Sequence, residues 1–172
     1  MKRPDMEKRT IILTHTDILL KIERMAWQIL EANHGKKELV LIGLMSKGYQ
    51  VALLLKEKLE AISTVTLHLG SIYINKDDPN DGSVEIKDVP SLSDKDVLLI
   101  DDVLNSGKTL MYATLPILNQ GPASLHTVVL ANRAHTSFPI KANIVGISLA
   151  TTLQEHITFV PSDSGSMEVY LS

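Results

Sequence analysis

With 172 residues, 44% of them hydrophobic, the chain can bury one core and is short for two; its formal net charge of -3 supplies no global positive field for nucleic acid or an anionic membrane. The absence of cysteine excludes a disulfide framework, a thiolate zinc site and a cysteine nucleophile. No uninterrupted apolar run approaches the roughly 20 residues that span a bilayer, so we expect one soluble, unprocessed, cytoplasmic domain over residues 1–172 with no membrane partner.

The first predicted element is a helix in "HTDILLKIERMAWQILEANHGKK". Ile18, Ile22, Met25, Ala26, Ile29 and Leu30 recur at helical spacing, while Lys21, Arg24, Gln28 and Glu31 take the other side. Thr16 or Asp17 is expected to cap it, and Gly35 to end it. "ELVLIGL" at 38–44 is evenly apolar, as a strand buried on both faces of a parallel sheet is. "YQVALLLKEKLEAI" predicts a second helix, and "STVTLHLGSIYI" at 63–74, rich in β-branched residues, a second strand.

Residues 75–92 open a segment of acids, lysines, Asn, Gly and proline that lacks the apolar surface to order itself well; a mobile excursion with at most one short strand or hairpin is predicted. Regularity returns with a strand at 97–100, an acidic turn, and a helix from about Ser106 to Asn119 that Pro116 is expected to kink or shorten. "SLHTVVLANR" and "ANIVGISLA" predict two further strands, and the C-terminal stretch one or two more, with a turn over Ser162 to Ser166. Strands alternating with helices imply an α/β fold around a parallel sheet.

The chemistry concentrates in "VLLIDDVLNSGKTL", residues 97–110. In an open parallel sheet, ligands bind beyond the carboxyl ends of the strands, where this stretch lies. Gly107 lets the backbone close around an anion, and Ser106, Thr109 and the amides opening the helix supply donors. A nucleotide-triphosphate P-loop shares "SGKT", but that motif needs a glycine at 102, where Asp102 would repel the β-phosphate. Adjacent acids in a turn are usually solvent-facing. Placed directly before a phosphate cradle, Asp101 and Asp102 instead call for magnesium, sugar hydroxyls or a developing cation, and a ribose 5-phosphate satisfies both halves.

This strand, acid pair and glycine loop resemble the 5-phosphoribosyl-1-pyrophosphate (PRPP) motif of the type I phosphoribosyltransferases. The resemblance implies a three-layer parallel-sheet fold with a flexible loop at about 75–92 and a small hood, here mainly residues 1–16 and 144–172. It implies that Asp101 and Asp102 hold the ribose hydroxyls and Mg2+, directly or through water. Asn105, Ser106, Gly107, Lys108 and Thr109 would then hold the 5-phosphate. "LIGLMSKG" looks like the pyrophosphate loop, with Ser46, Lys47 and Gly48 as its residues, and "YINKDDP" like the base of the flexible loop, with Lys76, Asp77 and Asp78.

Over nearly the whole chain the sequence is most similar to the pyrimidine operon attenuators, which are also uracil phosphoribosyltransferases. "LANRAHTSFPIKANIVG" resembles their D-R-G-H and P-I-R-A-D segment, and implies Asn132 and Arg133 beside the base, with a homodimer or homotetramer. The implied reaction joins a nucleobase, uracil above all, to PRPP, giving a UMP-like nucleotide and pyrophosphate. Asn105 disfavours the 6-oxopurine alternative, whose enzymes place an Asp there to serve purine N7, although "SGKT" is the more purine-like loop. A sensor without turnover is the other alternative. RNA is a disfavoured partner, because Thr136 and Ile147 stand where the attenuators carry basic residues.

The six histidines show no metal-ligand spacing, and Trp27 is expected in the core or a subunit contact.

Overall fold

The computed structural model describes residues 9–75, 77–152, 155–161 and 165–172. Helix α1, His15–Ala32, buries the apolar stripe that its spacing predicts: Ile18, Ile22, Met25, Ala26 and Ile29. Its cap is Thr14, earlier than the expected Thr16 or Asp17. Asp17 serves instead as the reciprocal partner: its amide donates to Thr14 Oγ1 (3.3 Å), while its Oδ2 accepts from the Thr14 amide (2.9 Å). The Thr14 bonds hold the Asp17 carboxyl below the ordinary aspartate range.

The principal sheet contains β2 (Glu38–Leu44), β3 (Thr66–Tyr73), β4 (Glu85–Lys87), β5 (Asp96–Leu104), β6 (Ser124–Arg133) and β7 (Ile144–Leu149), ordered β4-β3-β2-β5-β6-β7. All neighbours pair in parallel except β4, which runs antiparallel to β3. Alternation along the strands divides the interior into two layers. Leu39, Leu41, Leu98, Ile100, Val128 and Leu130 face α1 and α2 (Lys47–Ile62). Val40, Ile42, Val97, Leu99 and Val129 join Leu110, Ala113 and Ile117 of α3 (Lys108–Leu118) on the other side. The three layers follow from strands that are apolar on both faces and so need a helix on each.

Helix α3 passes through Pro116 and stops at Leu118, close to the expected end. A smaller antiparallel sheet, β1-β9-β8, is formed by Thr10–Leu13, Glu168–Leu171 and Ile157–Val160. The strand β1 has no counterpart in the sequence reading; four residues are too few to show a period. Residues 144–149, expected in the hood, belong to the principal sheet, because their backbone pairs with β6. Phe159, Ile157 and Val169 of the small sheet are buried in the same cluster as α1 and α2, so the two sheets share a core.

The excursion after β3 is better packed than predicted. Ile74, Pro79 and Leu92 are buried, and Val84, Ile86 and Val89 pack against the α3-side cluster. Asp81 accepts from Asn75 Nδ2 at 2.7 Å and from the Ser83 amide at 2.8 Å, bonds that keep its carboxyl below the ordinary range, the Ser83 hydroxyl contributing most. A few apolar anchors and side-chain caps replace the missing continuous apolar surface. Trp27 is 53% exposed, which excludes the core placement.

The order β3-β2-β5 reverses the direction in which the chain winds. In open α/β sheets that reversal opens a crevice at the strands' carboxyl ends, here between β2 and β5.

Candidate active site

Two loops meet at this crevice. β5 runs four residues further than predicted, so Asp101 and Asp102 lie on the strand rather than in a turn. The tertiary reason is that Asp101, Val103 and Leu104 continue the ladder with β6, opposite Val129, Ala131 and Asn132. Asp101 and Asp102 are consequently only 6% and 9% exposed, and the Asp102 amide donates to Asp101 Oδ1 at 2.9 Å. Carboxylates withdrawn this far from water retain electrostatic reach that surface acids lose to screening.

Beyond β5 the chain turns at Asn105, Ser106 and Gly107 into α3. Gly107 adopts φ +84°, and a Cβ there would come within 2.7 Å of Ile140 Cγ2. The turn is fastened from the other side by the amides of Ser137 and Phe138, which donate to the Ser106 carbonyl at 2.9 and 3.0 Å. The Lys108 amide donates to Ser106 Oγ at 3.2 Å. Residues 103–110 with Asp101 enclose a cavity of about 160 Å³ over the start of α3. The first amides of a helix lack intrahelical acceptors, and the helix dipole favours negative charge, so this cavity suits a phosphate-sized anion.

The second loop, Met45 to Gly48, leads from β2 into α2. Met45 and Ser46 have φ of +20° and +24°, an uncommon conformation for residues with a Cβ. Gly48 lets the start of α2 lie on β5: a Cβ would stand 2.8 Å from the Ile100 carbonyl oxygen and 3.1 Å from Asp101 Cα. Lys47 is half-buried and, among the described residues, neither it nor Lys108 enters a salt bridge.

Between the two loops lies a larger cavity of about 480 Å³, lined by Met45, Ser46, Lys47, Tyr73, Asn75, Asp77, Asp102, Val103, Asn105 and the hood residues Ile157 and Thr158. Its size is ordinary for a small-molecule site. Val103 and Asn105 line both cavities, so the two adjoin at these residues.

The expected residues therefore assemble in part. Asp101, Asp102, Asn105, Ser106, Gly107, Lys108 and Thr109 border these two cavities, with Ser46 and Lys47 on the β2 side and Gly48 packed behind them. Asp77 reaches the larger cavity; Asp78, exposed, is not among its lining residues. Lys76 lies outside the described residues. Asn132 and Arg133 do not line either cavity. Arg133 turns toward the segment after β7 and donates through Nε to Thr151 Oγ1 and through Nη2 to the Thr152 carbonyl, both at 2.7 Å, which commits two of its five N–H donors to that segment. Tyr73, Ile157 and Thr158 escaped the sequence reading. The end of a strand beside the crevice was the available signal for Tyr73; Ile157 and Thr158 carry none, since only tertiary packing brings β8 over the larger cavity.

Among the described residues no three His, Cys, Asp or Glu side chains converge as a metal cage. Asp101 and Asp102 are hard oxygen donors. They fit magnesium in its usual arrangement, in which one or two carboxylates share the ion with water and substrate phosphates.

Comparison with known proteins agrees with this geometry. The phosphoribosyl transferase domain model matches residues 8–162. The chain is 35% identical over 160 residues to "Bifunctional protein PyrR" of Geobacter sulfurreducens, covering 88% of this chain and 90% of that one. It is 33% identical over 162 residues to the protein of the same name from Oceanobacillus iheyensis, covering 87% and 89%. Among solved structures, the hypoxanthine phosphoribosyltransferase of Trypanosoma cruzi superposes with a TM-score of 0.76 at 20% identity, over 93% of this chain and 95% of that one, a likeness of fold. The β5 acid pair, the glycine loop and the family match over most of the chain lead to one conclusion: the chain belongs to the phosphoribosyl transferase family.

Proposed function

We propose that this protein transfers the 5-phosphoribosyl group of PRPP to uracil, with magnesium, releasing pyrophosphate and forming a UMP-like nucleotide. The observation that carries the reading is the adjacency of two cavities, one phosphate-sized and one large enough for a base with its leaving group, which share Val103 and Asn105 as lining residues. The 5-phosphate occupies the smaller one, against the amides of residues 105–109 and the hydroxyls of Ser106 and Thr109. Asp101 and Asp102 face the ribose hydroxyls. Lys47 and the Ser46–Gly48 backbone receive the pyrophosphate, and Asp77 stands at the side of the larger cavity.

A ring nitrogen of the base forms the bond to C1 as the bond from C1 to the pyrophosphate oxygen breaks. Its electron pair leaves with pyrophosphate and the nitrogen's proton passes to solvent. Positive charge builds on the ribose ring between the two events, where the buried carboxylates oppose it. Magnesium, when bound, neutralises charge on the departing diphosphate. Nothing in this scheme needs a covalent nucleophile; it needs alignment and fixed charge.

Uracil is favoured because Asn105 lines the larger cavity. An amide there cannot exchange a proton with a purine N7 as a carboxylate can. RNA is left out of the proposal: Thr136 presents no charge, and Ile147 packs against the principal core. The decisive experiment supplies PRPP and Mg2+ with uracil, hypoxanthine, guanine, xanthine, adenine or orotate and measures pyrophosphate release. Fastest release with uracil is expected. Release with no base would overturn the enzyme reading, and hypoxanthine outrunning uracil would overturn the role of Asn105.

A further inference from the structure

Arg133 ends β6, the strand next to β5, and lines neither cavity. Its two hydrogen bonds, Nε to Thr151 Oγ1 and Nη2 to the Thr152 carbonyl, fall on the segment that leaves the principal sheet after β7. The same segment is held from its other side by Glu155, whose Oε2 accepts from the Thr152 amide at 2.7 Å and from Thr152 Oγ1 at 2.9 Å. Thr152 therefore has its carbonyl held by a fixed cation and its amide and hydroxyl by a carboxylate. The Ala134 amide adds a backbone bond to the Leu149 carbonyl at 3.0 Å, which ties the end of β6 to the end of β7.

What this knot positions is β8. Two residues after Glu155 comes Ile157, then Thr158, and both line the larger cavity together with Asn105 and Tyr73. β8 itself pairs with β9 in the small sheet and forms no ladder with the principal one. Its height over the cavity is set by the plug of Phe159 into the core below and by the anchored segment through which the chain arrives. Ile157 and Phe159 are buried together in that core, and the β9 ladder opens with the paired backbone bonds of His156 and Ser172; the anchored segment fixes where the chain enters this frame.

We propose that Arg133 is a positioning residue: with Glu155 it clamps the crossing between the two sheets and so presents Ile157 and Thr158 of β8 to the nucleobase, acting on base recognition and leaving PRPP recognition alone. This deepens the phosphoribosyl transfer reading and rests on it for its kinetic part. Lysine in place of Arg133 keeps the charge but loses the pair of directed donors, since one ammonium cannot reproduce the planar fork that meets a hydroxyl and a carbonyl together.

The test uses the full-length protein carrying Arg133→Lys and, as a milder change that removes only one acceptor, Thr151→Val. We expect Arg133→Lys to raise KM for the base about ten-fold, as the loss of one charged hydrogen bond predicts, with KM for PRPP changed by less than about two-fold. Thr151→Val should shift the same constant in the same direction by less. Hydrogen exchange provides a readout that needs no turnover: amides of residues 157–160 should exchange faster in Arg133→Lys, with β2 and β5 unchanged. Equal rises in both KM values, a fall in kcat with both KM values unchanged, or unaltered exchange in β8 would each overturn the clamp. If the wild-type protein turns over no base, the proposed function fails by itself, and the exchange measurement still decides for or against the clamp.

Discussion

Substituting Gly48 by alanine tests whether the contact between the two loops sets the geometry of the acid pair. The added Cβ would lie 2.8 Å from the Ile100 carbonyl oxygen, 3.1 Å from Asp101 Cα and 3.1 Å from Asp101 Oδ1. A carbon rests no closer than about 3.3 Å to a carbonyl oxygen, so α2 and β5 must separate by roughly 0.5 Å. Two of the three atoms met are backbone in a central strand, and no rotamer change relieves them. Overpacking of this kind costs about 1–3 kcal/mol, equivalent to a fall in Tm of roughly 2–12 °C at this chain length. A misplacement near 1 Å costs about a hundred-fold in rate, so half that distance at Asp101 should lower kcat/KM about ten-fold. Thermal unfolding and pyrophosphate release with uracil give the two readouts. Unchanged Tm together with unchanged kcat/KM would refute the argument that this close approach fixes the acids. A lower Tm with full activity would refute only its catalytic half.

Three further outcomes are expected. Asp102→Asn should reduce turnover by about a hundred-fold or more, as removal of a preorganised charge does, with far-ultraviolet circular dichroism unaltered; normal turnover would remove Asp102 from the mechanism. Phe159→Ala should cost about 3–5 kcal/mol in urea unfolding, because Phe159 is fully buried in the core that the two sheets share. A cost below 1 kcal/mol would show that the small sheet contributes little to stability. The third concerns acid. Glu38 accepts from Lys95 Nζ at 2.6 Å and His68 Nε2 at 2.7 Å, and these bonds, Lys95 first, depress its pKa. A depressed carboxylate contributes stability that is present above its unfolded value, about 4.3, and is lost as pH falls through the lower folded value. Lys95→Met should therefore flatten the acid limb of stability below about pH 4.3 while changing the slope above pH 6 very little. An unchanged acid limb in the variant would count against the pairing.

The sequence determined the elements whose physical cause is local. The helical spacing of Ile18 to Ile29, the doubly apolar run at 38–44 and the turn from β5 into α3 each announce themselves within about fifteen residues, and the phosphate loop could be read because glycine, hydroxyls and a helix start are adjacent in the chain. The acids were read too, but in the wrong setting. That β5 continues through Asp101 and Asp102 depends on a β6 ladder whose residues come more than twenty positions later, and the burial of both carboxylates follows from that pairing.

Tertiary structure alone decided the rest. Arg133 reads in sequence as a donor beside a ligand, and only the return of the chain at Thr151 and Thr152 shows two of its donors held there. Ile157 and Thr158 carry no motif, yet the shared core that buries Phe159 brings them over the crevice. The division has a physical basis. Backbone conformation and amphipathic period are properties of neighbouring residues, and so are legible along the chain, whereas burial of a charge and the lining of a cavity are set by distant segments that meet only when the sheet closes around its helices.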